Sequence, residues 1–209
     1  MTGRHITLFH APNTRSTGTL ILLEELGADY ELQLLDFARN EQRSPAYLAI
    51  NPMGKVPAIR HAGAVVTEQV AIYIYLADLY ADRGLAPLIG DPLRGPYLRW
   101  LVFYGSCFEP ALVDRSQKRE PGSVAGSPYG DYDTMLCAVM QRIEQGPFIA
   151  GDRFTAADVL WGIAFGLTTG WGLVPRTPAL QRYVEAFDAR PAVIRARARD
   201  AELAASLGK

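Results

Sequence analysis

The sequence predicts an α/β domain followed by an all-helical one, and three observations support that division. Residues 1–81 read as strand, helix, strand, then two short strands and a helix. Residues 82–92 (Asp-Arg-Gly-Leu-Ala-Pro-Leu-Ile-Gly-Asp-Pro) are rich in Gly and Pro and read as a linker. Residues 93–209 show helical periodicity interrupted only by polar loops.

Each element has a local reason. His5–His10 alternates as a strand, and the polar loop Ala11-Pro12-Asn13-Thr14-Arg15-Ser16 stops it. A helix is predicted from Thr17 to Leu26, with Leu20, Leu23 and Leu26 on one face and Gly27 ending it. Tyr30–Asp36 is the next strand, which completes a βαβ unit. Phe37–Ile50 is polar and irregular, with a short surface helix. Ala58–His61 and Val65–Thr67 flank a turn at Ala62-Gly63 and suit a hairpin. Val70–Tyr80 is predicted helical, with Ile72, Leu76 and Leu79 inward.

In the second half, Arg94–Asp114 places Trp100, Phe103, Tyr104, Cys107 and Phe108 in one apolar stripe at helical spacing. Arg115–Asp131 is rich in Ser, Gly and Pro and is expected to form a mobile rim. Tyr132–Gln145 resumes as a helix. Thr155 and Asp158 form a capping box at the head of a helix that is apolar nearly all round, with Phe154 and Val159 as its hydrophobic staple. Asp158 is therefore structural. Pro191 divides the final amphipathic segment into two helices.

Composition excludes several functions. Of 209 residues, 49% are hydrophobic and 21% charged, as in a globular protein, and the net charge of -1 gives no electrostatic case for nucleic acid or an anionic membrane. No apolar run reaches membrane-spanning length and the N-terminus lacks a secretion-signal layout, so cytoplasmic residence is the expectation. Cys107 and Cys137 form neither a Cys-x-x-Cys pair nor a disulfide framework, and no metal site is expected.

The chemistry is expected around Asn51-Pro-Met-Gly-Lys-Val-Pro-Ala-Ile59 and Thr67-Glu-Gln-Val-Ala-Ile72. Pro57 cannot donate a ladder hydrogen bond, and a cis Val56-Pro57 bond would turn the Val56 backbone outward as an edge for an extended peptide. Glu68 and Gln69 open a helix, where free N–H groups and the helix dipole favour a carboxylate.

With NPMGKVPAI, TEQVAIYIYLAD, GDPLRGPYLRW and FTAADVLWG in view, nearly the whole chain resembles the bacterial-type cytosolic glutathione S-transferases. The resemblance implies a thioredoxin-like N-terminal domain, a homodimer, and glutathione as co-substrate. It implies that Val56, beside Pro57, pairs with the cysteinyl part, that Glu68 holds the α-amine and that Gln69, where relatives usually carry Ser, binds the α-carboxylate. Lys55 is placed to approach the glycyl carboxylate as a point charge. The thiol-activating donor is expected in the loop after the first strand, with Ser16 and Asn13 favoured and Thr14 close behind. Arg15 stands where the cysteine-type enzymes carry Cys and would add a cation beside the thiolate. Tyr104, Phe108, Trp100 and Phe103, with Trp171 at the rim, are candidates to line a pocket for the electrophile between the two halves. The implied reaction is conjugation or reduction of a small electrophile or peroxide. Glutathione-dependent disulfide reduction and a non-catalytic binding or assembly module are the alternatives.

Overall fold

The computed structural model describes residues 3–119 and 122–207. The chain forms two compact units, one of Met1–Gly84 with Ala189–Lys209 and one of Leu85–Asp188. This division differs from the expected one, in which everything after residue 92 belonged to the helical half.

In the first unit a sheet runs in the order β2-β1-β3-β4. Strand β1 (Ile6–His10) is central, parallel to β2 (Tyr30–Leu34) and antiparallel to β3 (Ala58–His61), with Leu8 opposite both Leu32 and Ile59. Strand β4 (Ala64–Val66) completes a hairpin, and the intervening Ala62 and Gly63 both take positive φ, as a tight two-residue turn demands.

Helix α1 (Ser16–Leu26) connects β1 to β2 and ends at Gly27 in the left-handed conformation, whose N–H bonds back to Glu24 O. Leu20, Leu23 and Leu26 are fully buried, as their spacing predicts, but so are Ile21 and Leu22. The reason is a second cover. Helix α9 (Pro191–Leu207) packs along α1, with Arg190 bonded to both carboxylate oxygens of Glu25 at 2.6 and 2.8 Å. A helix covered on two sides buries five large aliphatic side chains, each contributing roughly 1.5–3 kcal/mol before entropy is counted. That is why the C-terminal helix belongs to the first unit.

Between β2 and β3 lies a short helix α2 (Pro45–Leu48), capped by the Ser44 hydroxyl. Helix α3 (Gln69–Leu79) buries Ile72 and Leu76, while Leu79 is only half-buried. Tyr80 is buried in its place, its phenol donating to Arg4 O at 2.6 Å.

In the second unit the long helix expected over Arg94–Asp114 is three pieces: α4 (Arg94–Phe103), a π-helical turn over Tyr104–Phe108, and α5 (Glu109–Ser116). Pro110 explains the break, because it has no N–H with which to continue the α-helical ladder, and a wider turn ahead of it accommodates the missing bond. Glu120 and Pro121, in the polar segment expected to be mobile, lie outside the described residues.

Helices α6 (Tyr132–Gln145), α7 (Ala156–Gly170) and α8 (Pro178–Asp188) complete the unit. Trp161 of α7 is fully buried and donates its indole N–H to Trp100 O at 3.0 Å. Gly162 next to it is required by packing, since a Cβ there would come within 2.4 Å of the Phe187 ring. The Thr155–Asp158 capping box forms as expected; Phe154 meets the ring of Phe148. Among the described residues no helix is long and apolar enough to cross a membrane.

Candidate functional site

Three segments of the first unit converge where the sequence motifs predict a site. The first is the turn leading to Val56. Asn51 is buried; its Oδ1 accepts from Met53 N at 3.1 Å and its amide donates to Lys55 O at 2.8 Å. The same carbonyl receives the Tyr47 phenol at 2.6 Å, and burial pushes that phenol's pKa up to about 12, so it stays a donor at any physiological pH. Gly54 completes the turn with φ of 60°, and a Cβ there would lie 2.7 Å from Gln42 O, so only glycine fits. Val56-Pro57 is cis. The Lys55 side chain is exposed. What fixes the turn is its carbonyl.

The second segment is the loop between β1 and α1. Val56 and Ala11 share one buried cluster with Phe9, Leu35, Tyr47 and Ala58, which brings this loop beside the turn. Ser16 lies underneath it. Its hydroxyl donates to Ala11 O (3.0 Å), accepts from Ala11 N (3.1 Å), and lies 2.8 Å from both Thr14 Oγ1 and His10 Nδ1. The expectation that Ser16 presents a donor to a bound thiol is therefore corrected: its side chain is fully buried and its bonds close the base of the loop. Thr14 is half-buried and spends its proton on Ala11 O at 2.6 Å. Asn13 and Arg15 are exposed, and Asn13 has left-handed backbone geometry with φ of 59°.

The third segment is the head of α3. Gln69 starts the helix and reaches across to Arg15, its amide 3.4 Å from the Arg15 carbonyl, while its own Oε1 is buried without a partner. Glu68 precedes it, exposed, with φ of 65° and ψ of 117°. A glutamate at positive φ costs on the order of 1–3 kcal/mol and persists only where its surroundings enforce it.

The aromatic candidates separate into two groups. Trp100, Tyr104 and Phe108 are buried and pack around Trp161, at ring distances of 6.0, 5.8 and 4.8 Å, so their helical stripe is core and not pocket lining. Tyr104 places its hydroxyl 3.4 Å from Glu109 Oε1. Phe103 is half-buried and Trp171 is exposed. Cys107 is half-buried with its thiol 3.6 Å from Pro128 O. Among the described residues no cluster of His, Cys, Asp and Glu is placed to hold a metal ion.

Three neighbours of these segments carry no motif in the sequence. Tyr47 sat in a stretch read as irregular surface. His10 closes β1 as a fully buried imidazole, and Asp200 of α9 lies beside it with Oδ1 2.9 Å from Nε2. A polar residue on the inner face of an amphipathic helix was the only available signal for Asp200.

Comparison with known proteins gives the family. The family model for the glutathione S-transferase N-terminal domain matches residues 4–78. Glutathione S-transferase 2 of Schizosaccharomyces pombe is 35% identical over 181 residues, 80% of this chain and 79% of that one. A glutathione transferase structure from Methylococcus capsulatus is 30% identical with a TM-score of 0.78, covering 94% of this chain and 98% of its own. A sphingomonad glutathione S-transferase complexed with glutathione is 32% identical with a TM-score of 0.76, over 93% and 98%.

Proposed function

Because this chain belongs to the glutathione S-transferase family and has its thioredoxin-like domain, we propose that the three converging segments bind glutathione and ionise its thiol for attack on a small electrophile or peroxide. The observation that carries this reading is the convergence itself. The Val56 backbone, the loop at residues 13–15 and the head of α3 meet in one unit, joined by the Ala11–Val56 cluster and the Gln69–Arg15 contact. Val56 and Pro57 present a backbone edge to the cysteinyl part. Glu68 takes the α-amine. Gln69, with an amide and the first N–H groups of α3, takes the α-carboxylate. Lys55 adds an exposed cation for the glycyl carboxylate.

The energetics require little machinery. A thiol with pKa ~8.5 is a few per cent ionised at neutral pH, and each unit of depression is worth ~1.4 kcal/mol. One hydrogen bond of roughly 1 kcal/mol and the N-terminus of α1, worth roughly 0.3–1 more, lower the pKa by about one unit or slightly more. With Ser16 and Thr14 engaged inside the loop, Asn13 is the donor and Arg15 the neighbouring cation. Catalysis then consists of thiolate stabilisation and proximity. Phe103 and Trp171, which keep exposed ring surface, remain as candidates to meet an apolar electrophile. A homodimer is the assembly the family relationship supports.

Conjugation or peroxide reduction is favoured over disulfide reduction by one feature: the loop has Arg15 and no thiol of its own, and both cysteines belong to the other unit. The test is turnover of glutathione with an aryl halide and with an organic peroxide. Asn13→Ala is expected to lower kcat on the order of tenfold, as loss of about 1.4 kcal/mol from the transition state would, with the protein still folded. Unchanged turnover in that variant would remove the activation scheme, and a wild type that fails to bind glutathione would leave the non-catalytic module.

A further inference from the structure

The family match ends at residue 78, yet the loop assigned to thiol activation is tied to a residue far beyond it. Asp200 of α9 is 4% exposed, and its two oxygens meet three parts of the loop and its flanks. Oδ2 accepts the Asn13 backbone N–H at 3.0 Å; Oδ1 accepts the Thr17 hydroxyl at 3.0 Å and lies 2.9 Å from His10 Nε2, close but poorly aligned for a hydrogen bond. His10 in turn lies 2.8 Å from the Ser16 hydroxyl, which holds both backbone groups of Ala11. The result is a Ser16–His10–Asp200 array closed to solvent. With Ser16 and His10 fully buried, it does not present a nucleophile and base to a substrate.

We propose that Asp200 is a positioning residue for the thiol-activating loop, holding Asn13 in its left-handed conformation through the backbone N–H and bracing the loop's flanks through the Thr17 hydroxyl and the adjacent His10 imidazole. This rests on the glutathione reading of the same site. Asn enters the left-handed region more readily than most residues but is not confined to it, and the bond from Asn13 N to Asp200 is the contact by which α9 fixes it there. Because catalysis by positioning is sensitive to displacements of about 1 Å, a change in α9 is expected to reach the thiol without touching it, at a cost on the order of tenfold to a hundredfold in rate.

The sign of the effect separates positioning from charge. A buried anion near a thiolate raises the thiol pKa by repulsion, so removing it would lower that pKa. Loss of loop position raises it toward the free value. The experiment measures the pKa of bound glutathione by thiolate absorbance, and amide hydrogen exchange at Asn13 in the free protein, for wild type, Asp200→Ala and Asp200→Asn. The expected result is faster Asn13 exchange and a higher bound-thiol pKa in Asp200→Ala, with both restored in large part by Asp200→Asn, whose amide oxygen still accepts the Asn13 N–H.

Should Asp200→Ala not fold, Asp200→Glu replaces it: the charge is kept, the carboxylate is displaced by one methylene, and the pKa is expected to rise. Unchanged Asn13 exchange, or a bound-thiol pKa that falls in both charge-removing variants, would overturn the proposal. A lower melting temperature with exchange and thiol pKa unchanged would overturn it too. If wild type binds no glutathione the functional reading fails, while the exchange arm still decides whether Asp200 holds the loop.

Discussion

Two buried aspartates, one in each unit, do similar work with different reach. Asp158 is 1% exposed and accepts Ile149 N and the Tyr183 phenol at 2.7 Å each, Thr155 N at 2.9 Å and the Thr155 hydroxyl at 3.0 Å. Asp200 is nearly as buried and accepts a backbone N–H and a hydroxyl beside an imidazole. Asp158 ties the head of α7 to its immediate surroundings, whereas Asp200 reaches back 187 residues to Asn13. The difference teaches that one device, a carboxylate gathering N–H and O–H donors, serves as scaffold when its partners are elements of the core and as a positioning clamp when they are a site loop.

The largest effect that would test the contrast is Asp158→Ala. It leaves two backbone N–H groups and a phenol buried without an acceptor, and the expected loss is at least about 3 kcal/mol in urea unfolding. Glutathione KM in the protein that remains folded is expected to stay within about twofold, a size that fits a purely structural role. A selective loss of glutathione binding with stability intact would erase the distinction between the two aspartates. Next in size is Gly162→Val, which forces side-chain atoms against Phe187 and is expected to cost about 1–3 kcal/mol by overpacking. Thermal unfolding measures it, and a neutral result would show that Phe187 can move aside.

A smaller effect distinguishes the two by pH. Burial pushes the Asp158 carboxyl above the ordinary range despite the four bonds it accepts. Burial also pushes Asp200 up, but the contacts from His10, Asn13 and Thr17 outweigh it and hold its pKa below the usual value. For Asp200 the unfolded chain takes the proton first as pH falls, so its contribution is complete above about pH 4 and is lost as pH drops through the lower folded value. For Asp158 the folded state takes the proton first, so its contribution is complete below about pH 4 and declines as pH rises through the higher folded value. Urea unfolding of wild type against Asp200→Asn is therefore expected to diverge with rising pH, and against Asp158→Asn to converge. Slopes of the same sign would contradict this account.

The smallest effect is expected at Lys55→Ala. The structure uses the carbonyl of Lys55 and exposes its side chain, so stability should change by less than about 0.5 kcal/mol. Glutathione KM should rise by about twofold to fivefold, as for an exposed charge pair worth up to roughly 1 kcal/mol.

The legibility of these features followed their distance in sequence. The capping box at Thr155 and Asp158, the hairpin at Ala62-Gly63 and the helix stop at Gly27 are local, and each was readable because its partners lie within a few residues. The two motifs also located the turn at Asn51–Val56 and the head of α3. What escaped depends on packing between distant segments: the placement of α9 against α1, the fate of the Trp100, Tyr104 and Phe108 stripe as core, and the closure of Ser16 behind its loop. Helical spacing marks a buried face but not what buries it, and a serine in a polar loop reads the same whether its hydroxyl faces solvent or His10. Asp200 was beyond reach because nothing near it in sequence reveals its partners.

The most direct test of the central claim is a pH titration of the thiolate absorbance of glutathione bound to the wild-type protein. The expected result is a bound-thiol pKa about one unit or more below the free value of ~8.5. A bound thiol titrating at the free value would contradict it, and would leave a site that holds glutathione without activating it.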